Sequence, residues 1–313
     1  MNHRLSLPSI QHAMTTIPRE FLHTPQFQSA ALSEALGCQL TVKIETLNPI
    51  RSFKGRGASH FVASLEPDAE LICASAGNFG QAMAYACRSK GMKLTVYAAH
   101  TANPLKLERM RALGANVVLH GEDFDAAKLE AKRVAAQTGA YMVEDGLEPL
   151  ISEGAGTMAL ELLQGADFDA LLIPLGNGAM LNGMARYAKA HSSASVIAVQ
   201  ASGAPAMLES WRAGRLIEHQ RIETIADGIG VRVPIREALA DMNGLVDDGL
   251  TVAEDSIIKA MKLIHQHVGV ISEPSGAVGV AALLEHPQRF TDQRVATVIC
   301  GGNLTPEQMR LWL

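Results

Sequence analysis

Short continuous apolar runs recur along the chain, each followed by a glycine-bearing turn and a stretch with helical spacing. The runs at 40–44, 71–74, 94–98, 117–119, 141–143, 170–175, 196–200 and 295–300 read as buried strands. Between them, 81–90, 125–137, 179–190 and 277–285 read as helices, the first stopped by Gly91. Asn103 and Pro104 supply an N-cap and a first-turn proline for a helix ending at Gly114. A further helix is expected over 156–163, and Thr251 to Glu254 has capping-box spacing for one running to about 267. Residues 1–39 read as a polar, helical lead-in broken at Thr24-Pro25, with a short helix over 32–36 closed by Gly37. The alternation predicts an α/β protein of two lobes, each an open, twisted, mostly parallel sheet with helices on both faces. The lobes join near 70 and 147, so 1–69 with 148–313 form a large domain and 70–147 a small one. A ligand is expected in the cleft between them. The stretch 201–250, with scattered glycines and prolines, gives no readable pattern.

The 313 residues are 48% hydrophobic, enough apolar surface for two such lobes. A net charge of -5 without a basic block argues against nucleic acid as a partner. No apolar run is long enough to span a bilayer, and the polar N-terminus shows no leader, so no membrane association and a cytoplasmic location are expected. Cys38, Cys73, Cys87 and Cys300 show no paired spacing that would suggest disulfides. His265 and His267 would face opposite ways on a helix, and no metal site is expected.

The candidate chemistry centres on residues 50–60, I-R-S-F-K-G-R-G-A-S-H, with Lys54 at the start of a helix whose apolar side carries Ala58, Phe61, Val62 and Leu65. Small neighbours suit an amine held against something flat; a solvated lysine on a basic turn with Arg51 and Arg56 is the plain alternative. Four turns follow apolar strands, where ligands of open α/β sheets bind. Ser75-Ala76-Gly77-Asn78-Phe79-Gly80 offers backbone N–H groups, a hydroxyl and an amide to a carboxylate or other anion. Gly176-Asn177-Gly178-Ala179-Met180 can close around a phosphate at a helix N-terminus. Glu273-Pro274-Ser275-Gly276-Ala277 and Cys300-Gly301-Gly302-Asn303 are the other two. Any one of these is what a tight turn in any α/β protein needs. A dinucleotide site fits 176–183 poorly, because the spacing is not G-x-G-x-x-G and the next strand ends in Gln200.

In this order and spacing, the five motifs resemble the tryptophan-synthase-β-like (fold type II) pyridoxal-phosphate enzymes, in particular the threonine/serine dehydratase branch. The resemblance implies pyridoxal 5'-phosphate as cofactor and a small-molecule substrate, an amino acid. Lys54 would carry the cofactor as a Schiff base, its amine kept partly neutral by an apolar turn and by Arg51 and Arg56. Phe53 would pack on the pyridine ring, Asn78 would bond its 3′-oxygen, and Cys300 would face its nitrogen. Gly176, Asn177, Gly178, Ala179 and Met180 would hold the phosphate, and Glu273 would lie near the ring. Ser75, Ala76, Gly77, Asn78 and Phe79 would take the substrate carboxylate. The implied activity is β-elimination from a 3-hydroxy amino acid, such as L-threonine, L-serine, phenylserine or 3-hydroxyaspartate, to a 2-oxo acid and ammonia, in a homodimer.

Several departures from the family pattern bear on this. Ala76 replaces the serine whose hydroxyl serves the opposite substrate face in racemising members, so racemisation is expected to be minor. Phe79 replaces a histidine, which suits a bulkier or less polar β-substituent. Gln200 stands where cation-binding relatives place a glutamate. The loop G-N-G-A-M is closer to threonine-synthase-type loops, which keeps a β- or γ-replacement enzyme open, as is a non-catalytic cofactor-binding paralogue. The ten residues after Asn303 leave no expected regulatory domain.

Overall fold

The structure, a computed structural model, describes residues 3–313. The chain begins with α1 (Leu7–Thr16), β1 (Gln26–Gln28), α2 (Ala30–Leu36), β2 (Gln39–Ile44) and α3 (Lys54–Ala63). Strict alternation follows: β3 (Leu71–Ala74), α4 (Asn78–Lys90), β4 (Leu94–Ala98), α5 (Pro104–Ala112), β5 (Asn116–Leu119), α6 (Phe124–Thr138) and β6 (Tyr141–Val143). Then come α7 (Pro149–Leu163), β7 (Ala170–Pro174), α8 (Ala179–His191), β8 (Ser195–Ala201), α9 (Ala206–Ala213) and α10 (Arg236–Met242). The last of the main elements are β9 (Asp248–Val252), α11 (Glu254–Val268), α12 (Pro274–Glu285) and β10 (Arg294–Ile299).

Two sheets result. One has the order β1-β2-β10-β7-β8-β9, with β1 antiparallel to β2 and the other neighbours parallel. The other, β5-β4-β3-β6, is parallel throughout. Successive strand residues point to opposite faces, and both faces of β3 and β7 are covered, which explains why these two strands are apolar throughout. In β7, Ala170 and Leu172 share a cluster with Leu32 of α2, Ile257 of α11 and Val278 of α12. Leu171 and Ile173, between them, join Met158 of α7 and Met184 of α8. In β3, Leu71 and Cys73 join Phe61 and Met83, while Ile72 and Ala74 meet Ala127, Ala131 and Ala135, one stripe of α6.

Three expectations need correction. The lead-in is not wholly helical, because β1 forms the sheet edge opposite Thr41 to Lys43. Thr251 is no helix cap: it pairs with Gln200 as part of β9, and α11 is capped at Ala253. Glu254 accepts instead from the Ile225 N–H (2.8 Å), so pairing in the sheet overrides the local spacing. Finally, α7 begins at Pro149, a first-turn proline, rather than at 156.

The seating of α3 positions Lys54. A Cβ on Gly57 would stand 2.4 Å from the Ile151 carbonyl oxygen, so α3 and α7 touch backbone to backbone and only glycine fits there. Beneath them Arg56, wholly buried, donates to Glu45 (2.9 and 2.9 Å), Glu161 (2.8 and 2.9 Å), Thr157 (3.0 Å) and Thr24 (3.1 Å). Lys43 adds an ion pair to Glu161 (2.6 Å) and a bond to Gln26 (3.1 Å). Two cations face two anions, and every guanidinium N–H has a partner, as a buried ion pair requires.

Candidate active site

The turn before α3 is sewn to the end of β10. Phe53 N–H donates to the Cys300 carbonyl (3.0 Å), Gly302 N–H donates to the Arg51 carbonyl (3.0 Å), and Ser52 pairs with Gly301. Asn48 fixes the turn from within, donating to the Ser52 carbonyl (3.1 Å) and accepting from its N–H (3.2 Å). Lys54, Phe53 and Cys300 are thereby brought together. Lys54 Nζ stands 4.7 Å from the Phe53 ring centroid and pairs with the Asp145 carboxylate, its side chain only 14% exposed. It is not a solvated lysine. Nor does Arg56 act on it as the expected cationic neighbour: Arg56 is neutralised by Glu45 and Glu161, and a carboxylate stands against the amine.

Glu273 is tied to the same centre. Its Oε1 accepts from Asn78 Nδ2 (2.7 Å), its Oε2 from the Asn303 N–H (3.1 Å), and Asn303 Nδ2 donates to Asn78 Oδ1 (2.9 Å). Gly301 makes room, since a Cβ there would stand 2.2 Å from Glu273 Oε1. Burial pushes the Glu273 carboxyl up to about 7, with Asp227 adding to the shift and Lys106 opposing it. Burial, with Glu273 adding, also pushes the Cys300 thiol up, so it is neutral across the physiological range.

Two helix N-termini complete the site. At α8 the N-cap is Gly178 in the left-handed region (φ 95°), with no side chain bonded to the first-turn N–H groups, which stay available to an anion. Gly176 and Asn177 are half-buried; Ala179 and Met180 are buried and belong to apolar clusters, so only their backbone can serve a ligand. At α4, Ser75 Oγ accepts from the N–H of Gly77 (3.2 Å) and Gly80 (3.0 Å), which leaves its own proton to donate. Ala76, Gly77 and Asn78 are half-buried, whereas Phe79 is buried in the apolar cluster of Met83 and Ile151. Gln200, fully buried in β8, accepts from the Leu208 N–H (3.1 Å).

Residues 17–301 match the family described as pyridoxal-phosphate dependent enzyme. The chain belongs to it. Among relatives of this pyridoxal-phosphate enzyme, L-threonine ammonia-lyase of Thermotoga maritima is 33% identical over 96% of this chain and 76% of that protein. The solved processed form of threonine deaminase isoform 2 from Solanum lycopersicum is 26% identical, with a TM-score of 0.90 over 99% of this chain and 95% of that one. Maize serine racemase is 28% identical, with a TM-score of 0.92 over 98% and 96%. The two sheets and their flanking helices are the architecture of these proteins.

The donor set fits the cofactor. An amine, a ring-sized apolar face, a neutral thiol, an uncapped helix N-terminus and an amide converge, and Asp145 Oδ1 and Ser275 Oγ are buried without partners. Asp145 was not among the residues singled out in the sequence. Its signal was there to read: in Glu144-Asp145-Gly146 it stands one residue beyond the apolar run 141–143 and precedes a glycine, as the other site turns do. Asn303, quoted only as the end of a motif, proves to be the hub between Asn78 and Glu273.

Proposed function

We propose that the chain is an ammonia-lyase that eliminates water from a 3-hydroxy amino acid, the released enamine then taking up water to give a 2-oxo acid and ammonia. The observation that carries this is the placement of Lys54 Nζ, beside the Phe53 ring and a neutral Cys300, in a pyridoxal-phosphate enzyme with lyase relatives. Bound there, pyridoxal phosphate supplies the electron sink that lets a Cα proton leave and a β-substituent depart. The chain does the rest. Phe53 would pack on the ring and Asn78 would bond its 3′-oxygen, with Glu273 and Asn303 keeping that amide in place. The loop from Gly176 to Met180, with the N-terminus of α8, holds the phosphate. Ser75 and the backbone from Ala76 to Phe79 hold the substrate carboxylate at the N-terminus of α4, and the partnerless Ser75 proton is suited to that.

Lys54 Nζ, when not held by the cofactor, would take the Cα proton and could return one to the departing hydroxyl. Cys300, a neutral thiol, offers no counter-charge to a protonated ring nitrogen; prompt loss of the β-group is favoured over transamination. Ala76 carries no group able to deliver a proton from the opposite face, which favours a lyase over a racemase. In this reading 1–69 with 148–313 are the large domain and 70–147 the small domain bearing the carboxylate loop. The same reading makes the enzyme a cytoplasmic homodimer. Its test is turnover of L-serine, L-threonine and phenylserine by the purified enzyme. The expected result is equal amounts of 2-oxo acid and ammonia from at least one; none from any contradicts the proposal.

A further inference from the structure

We infer that Asp145 decides which β-substituent the site admits, accepting one that carries hydrogen-bond donors, a hydroxyl or an ammonium, and rejecting a carboxylate; this rests on the lyase reading above. Asp145 is nine-tenths buried, its Oδ1 has no partner, and among the described residues its one ionic partner is Lys54. When a substrate arrives, Lys54, its nitrogen committed to the cofactor, offers at most one N–H instead of three. Once freed, it must be a neutral amine to take the Cα proton, so it brings Asp145 no positive charge. The carboxylate then stands beside the reacting centre short of donors, in a setting where an unpaired anion is costly. A substrate hydroxyl or ammonium makes up the deficit. A second carboxylate would place like charges together with little water to screen them.

The carboxylate cannot readily swing away, because its turn is held on three sides. Glu144 is paired with Lys128 and with Lys132 (2.6 Å) on α6. Gly146, at φ 83°, lies so close to the phosphate loop that a Cβ would stand 2.5 Å from the Asn177 carbonyl oxygen. From the other side Arg4, itself bonded through Nε to Asp241 (3.0 Å), donates to the Leu147 carbonyl. Asp145 is thus fixed between Lys54 and the loop that closes on an anion. That is a position from which a side chain selects rather than adapts.

The holoenzyme is tested with three probes of one backbone: L-serine, L-2,3-diaminopropionate and L-threo-3-hydroxyaspartate. Dissociation constants are read from the visible spectrum of the bound cofactor, and kcat/KM from 2-oxo acid release. Wild type should favour serine over 3-hydroxyaspartate by at least about tenfold in both readouts. Asp145→Asn, with Asp145→Ser as the second variant, should shrink that preference by about tenfold and weaken diaminopropionate relative to serine, with the cofactor spectrum retained. Wild type that binds 3-hydroxyaspartate as tightly as serine overturns the inference without any variant. So does a preference unchanged within about twofold in both variants. A wild type that turns over none of the hydroxy amino acids overturns the lyase reading alone, since the spectral dissociation constants still decide the charge selection.

Discussion

Glu161 and Glu273 are both buried glutamates, and their surroundings drive them in opposite directions. Burial alone would push the Glu161 carboxyl up, but the bonds and charge of Arg56, followed by Lys43, more than offset it and bring it to about 2. Glu273 has only amide and backbone donors, with its nearest cation opposed by Asp227, and burial wins, to about 7. The first carboxylate belongs to a closed set in which each charge is answered, and that set seats α3. The second lies in an open set, with Asp145 and Ser275 carrying unanswered atoms nearby in the fold. The complete set serves as scaffold; the incomplete one, at the candidate site, is one that a ligand can finish.

Breaking the closed set should have the largest effect. Arg56→Met strands Glu45 and Glu161 without their main partner, and should cost about 3–5 kcal/mol in chemical denaturation or prevent accumulation of folded protein. Next comes the open set. A carboxyl raised in the folded state stabilises fully below its ordinary range and loses that contribution as pH rises through its folded value. The protein freed of cofactor should therefore lose up to about 3 kcal/mol between about pH 4.5 and 7 through Glu273. Glu273→Gln should flatten that slope, while the Glu161 contribution, of opposite sign, fades only as pH falls from about 4.5 towards about 2. An unchanged slope above pH 4.5 would show that the two glutamates do not differ as described. The smallest effect is expected from Thr157→Val, which removes one acceptor of Arg56 and the bond to the Gly154 carbonyl (2.6 Å), at about 1–2 kcal/mol.

The strands buried on both faces were legible because such strands are apolar without interruption, and the turns after them because glycine and asparagine punctuate them. The edges were not. In β1, Gln26, Phe27 and Gln28 form a mostly exposed edge with a polar pattern that no single window separates from a loop. In β9, Asp248-Gly249 opens a strand whose existence depends on pairing with β8. The site was legible where residue and backbone act together, as at Lys54 and the two glycine turns. It was illegible where a role depends on distant charges. Arg56 sits two residues from Lys54 in sequence yet belongs to the scaffold, whereas Asp145, 91 residues away in the turn after the edge strand β6, stands against the amine. Sequence proximity suggested a cationic neighbour; three-dimensional packing supplied an anionic one.

The central claim is that Lys54 is the amine completed by the cofactor, and peptide mass spectrometry after borohydride reduction of the purified enzyme tests it most directly. The account predicts a pyridoxyl-phosphate adduct on Lys54, absent from Lys54→Ala along with the visible absorbance and the turnover. An unmodified Lys54 peptide from enzyme that retains its cofactor, or an adduct on another lysine, would contradict it.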